Sequence, residues 1–262
     1  MRILVSLFVL FFTTSSFATT FEGKFIQGSF ILGKTDPASE VFIDKKKIKV
    51  SKEGYFVFGL GRDRKNDVVI KINEKKIIKK VFKREYKIQK IDGLEEKKVT
   101  PPEEVYERIK KENKWIGQAR TIDSDLIFFK KKFIIPVENA IITGVYGSQR
   151  ILNGKPKWPH YGLDFAAQEG TKIKAMLDGV ATLVEDDLFY TGGTLIFDHG
   201  HGISTLYMHM KKILVEKGQK VKQGDIIGTV GATGRATGAH LDVRLNWFDV
   251  RLDPATVLDI KK

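Results

Sequence analysis

Apolar and polar residues alternate through the first part of the chain. FIQGSFILG alternates and ends on a glycine, EVFIDKKKIKV and GYFVFGLG flank the turn SKEG, and DVVIKI and KKIIKKVF lie on either side of Asn73 and Glu74. A period of two is typical of strands with one buried face, and turn residues at this spacing separate short strands. The pattern predicts a small β-sandwich over residues 19–98.

A helical pattern follows in TPPEEVYERIKKENKWIGQAR. Thr100 with Glu103 three residues later has the form of a capping box, and proline is well placed in a first helical turn. Val105, Ile109 and Ile116 share one face at helical spacing. We expect a helix of about four to five turns inside a helical linker, residues 99–132, that connects two domains.

Glycine becomes frequent from residue 133 onward. The apolar runs TLIFDHG, ISTLYMHM and DIIGTVG are separated by turn residues, which predicts an antiparallel β-core domain over residues 133–262. GTKIK at Gly170 and GQKVK at Gly218 form an internal repeat. Two copies indicate a folded-over sheet, since a solenoid needs at least three. The predicted fold class is therefore mainly β.

The first eighteen residues differ from the rest of the chain. Arg2 precedes the apolar run ILVSLFVLFF, and the small residues Ser16 and Ala18 follow it. The run is too short to cross a bilayer as a helix and has the form of a secretion signal. We predict a signal peptide, residues 1–18, cut after Ala18, and an exported protein of the bacterial periplasm or cell envelope with no later transmembrane span.

Composition narrows the class of protein further. The 262 residues contain no cysteine, which excludes a disulfide scaffold and leaves stability to a sizeable core. Forty-five Lys and Arg against 32 Asp and Glu give a net charge of +13. For an exported chain, this charge favours anionic envelope polymers over nucleic acid as partners, although lysine runs also occur simply as solvated surface.

Candidate chemistry is confined to the second half of the chain, where all five histidines lie between positions 160 and 240. His160 and Asp164 flank a glycine-containing turn, and imidazole and carboxylate are both zinc ligands. His240 and Asp242 are two apart on a predicted strand, so their side chains share a face. His209 ends an alternating strand. His199-Gly-His201 lies among glycines, and we interpret it as a structural turn.

These segments together resemble the LytM/lysostaphin-type zinc metallopeptidases, which cut peptide bonds in bacterial peptidoglycan. The resemblance rests on PHYGLDFAAQEGTKIKAMLDG, on DHGHGISTLYMHM and on VEKGQKVKQGDIIGTVGATGRATGAHLDVRLNW, and it extends from about Ile141 to Pro254. It implies one zinc ion, His160 and Asp164 as ligands, and His209 and His240 as catalytic histidines. One of these would help to deprotonate the attacking water, and the other would stabilise charge on the carbonyl.

Asp242 departs from the family pattern, which has a second histidine as the third ligand. Aspartate can bind zinc, but its carboxylate reaches roughly 1 Å less far than an imidazole nitrogen. Two carboxylates also neutralise the charge of the ion, which would weaken the ion as a Lewis acid. A ligand set richer in oxygen would also have less preference for zinc over harder ions. Arg244 lies on the same strand face as Asp242 and is a candidate to orient it.

The sequence predicts an exported metalloendopeptidase that hydrolyses peptidoglycan peptides. The alternative is a degenerate, non-catalytic member that binds cell wall or activates a separate hydrolase, with Asp242 as its support. A third interpretation comes from GQKVKQGDIIGTVG, which resembles the half-barrels of biotin- or lipoyl-carrying domains. Such carriers present a modifiable lysine on a hairpin, and a secretion signal does not suit that compartment.

Overall fold

A computed structural model describes residues 18–260, so all of the predicted signal peptide except Ala18 lies outside the described residues. Among these described residues, 42% lie in strands and 12% in helices, which confirms the mainly β fold. Between residues 18 and 260, no helix is long and apolar enough to cross a membrane.

The amino-terminal part contains two antiparallel sheets. Its strands are β1 (Thr20–Glu22), β2 (Phe30–Lys34), β3 (Val41–Ile43), β4 (Lys46–Ile48), β5 (Tyr55–Gly59), β6 (Val68–Ile72) and β7 (Lys75–Lys79). One sheet has the order β1-β2-β5 and the other β4-β3-β6-β7. The buried residues of both sheets belong to one hydrophobic cluster, as a small sandwich requires.

Two turns of this region show how local sequence sets the strands. Asn73 has a φ of 51°, which confirms the predicted turn between β6 and β7. EVFIDKKKIKV, in contrast, forms the hairpin β3–β4 and not a single strand. Asp44 has a φ of 56° at that turn, a conformation that aspartate tolerates better than most residues.

The connecting region contains strand β8 (Ile88–Ile91), helix α1 (Glu96–Val99), a 3₁₀ turn (Glu103–Val105), helix α2 (Tyr106–Arg120) and a second 3₁₀ turn (Phe128–Lys130). The predicted helix is present, but the capping box at Thr100 is wrong. Helix α2 begins at Tyr106 without any side-chain cap. The hydroxyl of Thr100 instead accepts a hydrogen bond from Lys155, 2.8 Å away.

The carboxy-terminal part holds the remaining strands. They are β9 (Ile141–Gly144), β10 (Gln149–Leu152), β11 (Lys155–Pro156), β12 (Leu163–Ala166), β13 (Lys172–Lys174), β14 (Gly179–Leu188), β15 (Gly192–Gly200), β16 (Ile203–Ile213), β17 (Lys220–Val221), β18 (Ile226–Val230), β19 (His240–Trp247) and β20 (Val250–Leu252), with a final 3₁₀ turn (Pro254–Thr256). The main sheet has the order β17-β14-β15-β16-β19-β12-β9.

The internal repeat corresponds to reciprocal strand pairing. Strand β13 lies within the first copy and pairs with β18, which follows the second copy. Strand β17 of the second copy pairs with β14, which follows the first. The two copies therefore close the sheet on itself, in agreement with the folded-over sheet expected from the repeat.

Helix α2 packs on one face of the main sheet. Ala119 belongs to a buried cluster with Leu183, Ile196, Leu206 and Met208, and Trp115 and Ile116 lie against it. The opposite face of the sheet contributes to the larger cluster that also contains the amino-terminal core. The division into domains at residues 98 and 132 stays a prediction.

Candidate functional site

Three buried side chains predicted as metal ligands meet at one point. Nε2 of His160 lies 3.0 Å from Oδ1 of Asp164 and 3.3 Å from Oδ2 of Asp242. The ligand atoms of the three residues all lie within 4.8 Å of one another. Residues up to 82 positions apart in sequence therefore form a single group.

Strand register brings the two carboxylates together. Asp164 on β12 is directly opposite Asp242 on β19, and opposed residues of an antiparallel pair point to the same face. His160 lies in the loop before β12. Its amide donates to the carbonyl of Ser148 at 2.8 Å, and its carbonyl accepts from the amide of Gly147 at 2.7 Å. These two bonds fix the loop that presents the imidazole.

Two glycines make room for the carboxylates. A Cβ atom on Gly144 would lie 2.0 Å from Oδ2 of Asp164, and one on Gly162 would lie 2.0 Å from Oδ1 of Asp242. Both distances are far below van der Waals contact. Glycine at these positions is thus required for the observed placement of both acids.

Two arginines compensate the buried negative charge. Nη2 of Arg150 donates to Oδ2 of Asp164 at 3.2 Å, and Nη2 of Arg244 donates to Oδ2 of Asp242 at 3.1 Å. The predicted contact between Arg244 and Asp242 is therefore present. Burial raises the pKa of Asp242, but Arg244 and His160 outweigh it and hold the pKa well below its usual range. Burial lowers the pKa of His160, and the two carboxylates reverse the shift to a net increase.

The chemistry of the three groups fits a metal ion. One imidazole nitrogen faces two carboxylate oxygens, yet it can donate only one proton. Oδ1 of Asp164 is buried and accepts no hydrogen bond from residues 18–260, although Nε2 of His160 lies only 3.0 Å away. Ligands about 2.1 Å from a tetrahedral zinc ion are separated by about 3.4 Å. The measured separations of 3.0 and 3.3 Å approach that value.

The two predicted catalytic histidines lie side by side. The ring centroids of His209 and His240 are 4.7 Å apart. Nδ1 of His209 donates to the carbonyl of Thr233 at 2.8 Å, and Nδ1 of His240 donates to that of Gly238 at 2.9 Å. A carbonyl only accepts, so Nδ1 of each ring carries a proton, and Nε2 is the nitrogen that can accept one. Burial, with the neighbouring His240, lowers the pKa of His209 to about 4.

An irregular backbone aims His209 at this site. Met208 pairs with Asp242 across β16 and β19, so regular alternation would turn His209 toward the opposite face. His209 instead has a φ of 62°, and the register between β15 and β16 shifts beside it. A left-handed conformation in a strand is unfavourable for a non-glycine residue, and such strain is concentrated at functional sites.

A cavity of about 300 Å³ connects these groups. Asp164, His209 and His240 line it, together with Arg150 and Arg235. Sequence reasoning did not identify either arginine as a site residue. Arg235 belongs to the quoted segment GATGRATGAH, whereas no local pattern around Arg150 signals its contact with Asp164.

His199 and His201 do not belong to the metal group formed among residues 18–260. Nδ1 of His199 donates to the carbonyl of Asp178 at 2.7 Å, and Nε2 accepts from the hydroxyl of Thr205 at 2.7 Å. His201 occupies the turn before β16 with a φ of 51°, and its ring lies 4.9 Å from that of Phe129. Both observations agree with the structural interpretation of this pair.

We expect His199 to make stability dependent on pH. Burial lowers the pKa of His199 to about 4, whereas an unfolded histidine titrates near 6.5. Its contribution is therefore complete above about pH 6.5 and is lost as the pH falls toward 4, by at most about 1.4 kcal/mol per pH unit. Denaturant unfolding at several pH values in this range gives the free energy of unfolding of the wild type and of His199→Gln. Plotted against pH, the two free energies should have slopes that differ by up to this amount. Parallel curves would show that His199 does not titrate differentially.

Comparison with known proteins identifies the domain that carries this site. Residues 158–254 match the model of Peptidase family M23. The peptidoglycan DD-endopeptidase ShyA of Vibrio cholerae is 45% identical over 87 residues, which cover 33% of this chain and 20% of that protein. The DD-carboxypeptidase/endopeptidase Mpg of Neisseria meningitidis is 40% identical over 89 residues, which cover 33% of this chain and 20% of that protein. The matches thus span one fifth of these relatives.

One solved structure is similar over nearly the whole chain. It is an M23 peptidase structure from Pseudomonas aeruginosa with a TM-score of 0.62 and 27% identity, and the similarity covers 89% of this chain and 95% of that one. The segment that resembled a biotin or lipoyl carrier lies inside the M23 match. The resemblance to LytM-type peptidases is confirmed, and residues 158–254 are identified as an M23 peptidase domain.

Proposed function

We propose that this protein is an exported zinc metalloendopeptidase that hydrolyses peptide bonds in peptidoglycan. The observation that carries the proposal is a cavity lined by Asp164 of the buried His–Asp–Asp group and by His209 and His240, whose Nε2 atoms make no hydrogen bond within residues 18–260. The relative ShyA, which is named a peptidoglycan DD-endopeptidase, supports the substrate class. The predicted secretion signal and the envelope location that it implies belong to the same proposal.

His160, Asp164 and Asp242 would hold the zinc ion. A bound zinc ion supplies Lewis acidity, which polarises the scissile carbonyl and acidifies water. Nε2 of one histidine of the pair His209 and His240 accepts the proton of the attacking water. The other, once protonated on Nε2, donates to the carbonyl oxygen and stabilises the charge that develops there, and the proton taken from the water is then passed to the leaving amine.

The hydrogen bonds at Nδ1 prepare both rings for this task. The carbonyls of Thr233 and Gly238 fix the tautomers and orientations of His209 and His240. Arg150 and Arg244 hold the two carboxylates in place. Each of these groups is positioned before substrate binds, which reduces the reorganisation that the reaction needs.

Asp242 decides between this proposal and a non-catalytic role. If its carboxylate fills the third ligand position, Asp242→His should bind zinc at least as tightly and retain activity, because histidine reaches the same face of β19. Asp242→Ala should lower zinc affinity by more than about 100-fold, since even outer-shell substitutions cost about 10- to 100-fold. Competition titration with a chromophoric chelator measures both variants. Equal affinities in the wild type and both variants would rule out Asp242 as a ligand.

The proposed reaction can be tested on purified sacculi. Protein beginning at Thr19 should release soluble peptides, a chelator should stop the release, and zinc should restore it. Mass spectrometry of the products identifies the bond that is cut. If the zinc-loaded protein releases nothing from sacculi of several species yet still binds them, the non-catalytic alternative replaces the enzyme.

A further inference from the structure

The active-site cavity has basic walls as well as catalytic groups. Arg150 on β10 and Arg235 in the loop before β19 both line it beside Asp164 and His209. Strand β8 pairs in parallel with β10 and contributes Gln89 and Ile91 to the same cavity. A peptide that reaches the two histidines would therefore pass both guanidinium groups.

Neither guanidinium group is fully used by the protein. Arg150 makes a single hydrogen bond to Asp164, and its Nε is buried without a partner among residues 18–260. Arg235 has no carboxylate partner in the described part of the chain. It donates to the carbonyl of Lys98 at 3.2 Å and stacks 4.6 Å from the centroid of Tyr190. Each guanidinium has five N–H donors, so most of them remain available.

The charge of the site favours an anion, and this step rests on the proposed function. Asp164 and Asp242 carry two negative charges, against three positive charges on Arg150, Arg235 and Arg244. A divalent metal neutralises the carboxylates and leaves all three positive charges in excess. Burial lowers the pKa of Arg235 only to about 10, so the group stays charged at neutral pH. All three arginines are partly buried, where positive charge without a counter-ion is costly, and a ligand carboxylate would compensate it.

We propose that Arg150 and Arg235 form a subsite for a carboxylate of the substrate peptide, close to the bond that is cut. Guanidinium groups bind carboxylates through paired, charge-assisted hydrogen bonds. The closeness follows from the shared cavity of about 300 Å³, which the two arginines line together with Asp164, His209 and His240. Peptides with a free carboxylate at that place would be selected over their amidated forms.

A pair of peptide probes separates this role from a structural one. The probes are a stem pentapeptide that ends in D-Ala-D-Ala with a free carboxylate and the same peptide ending in a carboxamide. Binding of each is measured calorimetrically with zinc-loaded His209→Ala, in which cleavage is slow. We expect the free carboxylate to bind at least about 10-fold more tightly.

Substitution of the arginines completes the test. Arg150→Gln and Arg235→Gln, each in the same background and with one bound zinc ion per chain, should reduce the carboxylate-to-amide ratio toward one. Arg235→Gln, whose arginine bonds to the carbonyl of Lys98 and not to the metal group, should also leave affinity for the amide unchanged. Lys172 is exposed and does not line the cavity, so Lys172→Gln is the control, and it should leave the ratio unaltered. The proposal is overturned if zinc-loaded His209→Ala binds the two probes equally well, or if the preference for the carboxylate survives both arginine substitutions. It is also overturned if the arginine substitutions lower the affinity for both probes equally.

Failure of this inference differs from failure of the proposed function. A wild-type protein that digests sacculi but shows no preference between the probes is a peptidase without the carboxylate subsite. A protein that takes up no zinc and releases no peptides contradicts the proposed function itself.

Discussion

Replacing His160 by alanine should abolish metal binding and peptidase activity together. His160 supplies the single nitrogen of the group, and its Nε2 lies between the two carboxylates at 3.0 and 3.3 Å. Without it, Asp164 and Asp242 oppose each other across β12 and β19 with Arg150 and Arg244 as their bonded partners. We expect zinc affinity to fall by more than about 100-fold, beyond the loss typical of outer-shell substitutions.

Metal analysis after dialysis against zinc measures this effect, with the thermal unfolding midpoint as a check on folding. His201→Ala is the matched control, because it removes another buried histidine that lies outside the metal group. The control should retain one zinc ion and full turnover. A His160→Ala protein that still holds a full equivalent of zinc would show that the zinc ion binds at a site other than this group.

Replacing His209 by alanine should have a different signature, in which turnover falls and metal remains. His209 does not contribute to the ligand group, but it presents a free Nε2 to the cavity that Asp164 also lines. Loss of a general acid or base lowers the rate by about 10²- to 10⁴-fold. The expected variant therefore binds one zinc ion with unchanged affinity and hydrolyses sacculi at this reduced rate.

Product release over time, from samples whose zinc content is known, measures the effect of His209→Ala. The alanine side chain also removes the bond to Thr233, so His209→Gln provides a second variant of similar size without a base. Both variants should be slow to a similar degree. Unchanged turnover in either one, with zinc bound, would remove His209 from the chemistry.

The parts of the site that follow from local periodicity could be predicted from the sequence. The placement of His240 and Asp242 on one face follows from the strand period of two, and the observed strand β19 begins at His240. The contact of Arg244 with Asp242 follows from the same period. The closure of the sheet was indicated by the repeat at Gly170 and Gly218.

Features that depend on distant pairing could not be predicted. Arg150 lies on β10, in a sheet with β8 and β11, whereas Asp164 lies on β12 in the main sheet, so no strand pairing indicates their contact. The orientation of His209 requires a left-handed residue inside a strand, which no alternation rule anticipates. The capping box at Thr100 failed because tertiary contacts of the chain before α2, including the bond with Lys155, replaced a local preference.

The metal dependence of hydrolysis is the central claim, and titration of metal-free protein with zinc tests it most directly. Bound zinc and peptides released from sacculi are measured in the same samples. We predict that activity rises in proportion to bound zinc and stops rising at one equivalent per chain. Peptide release by the metal-free protein, or zinc bound at one equivalent without any release, would contradict the account.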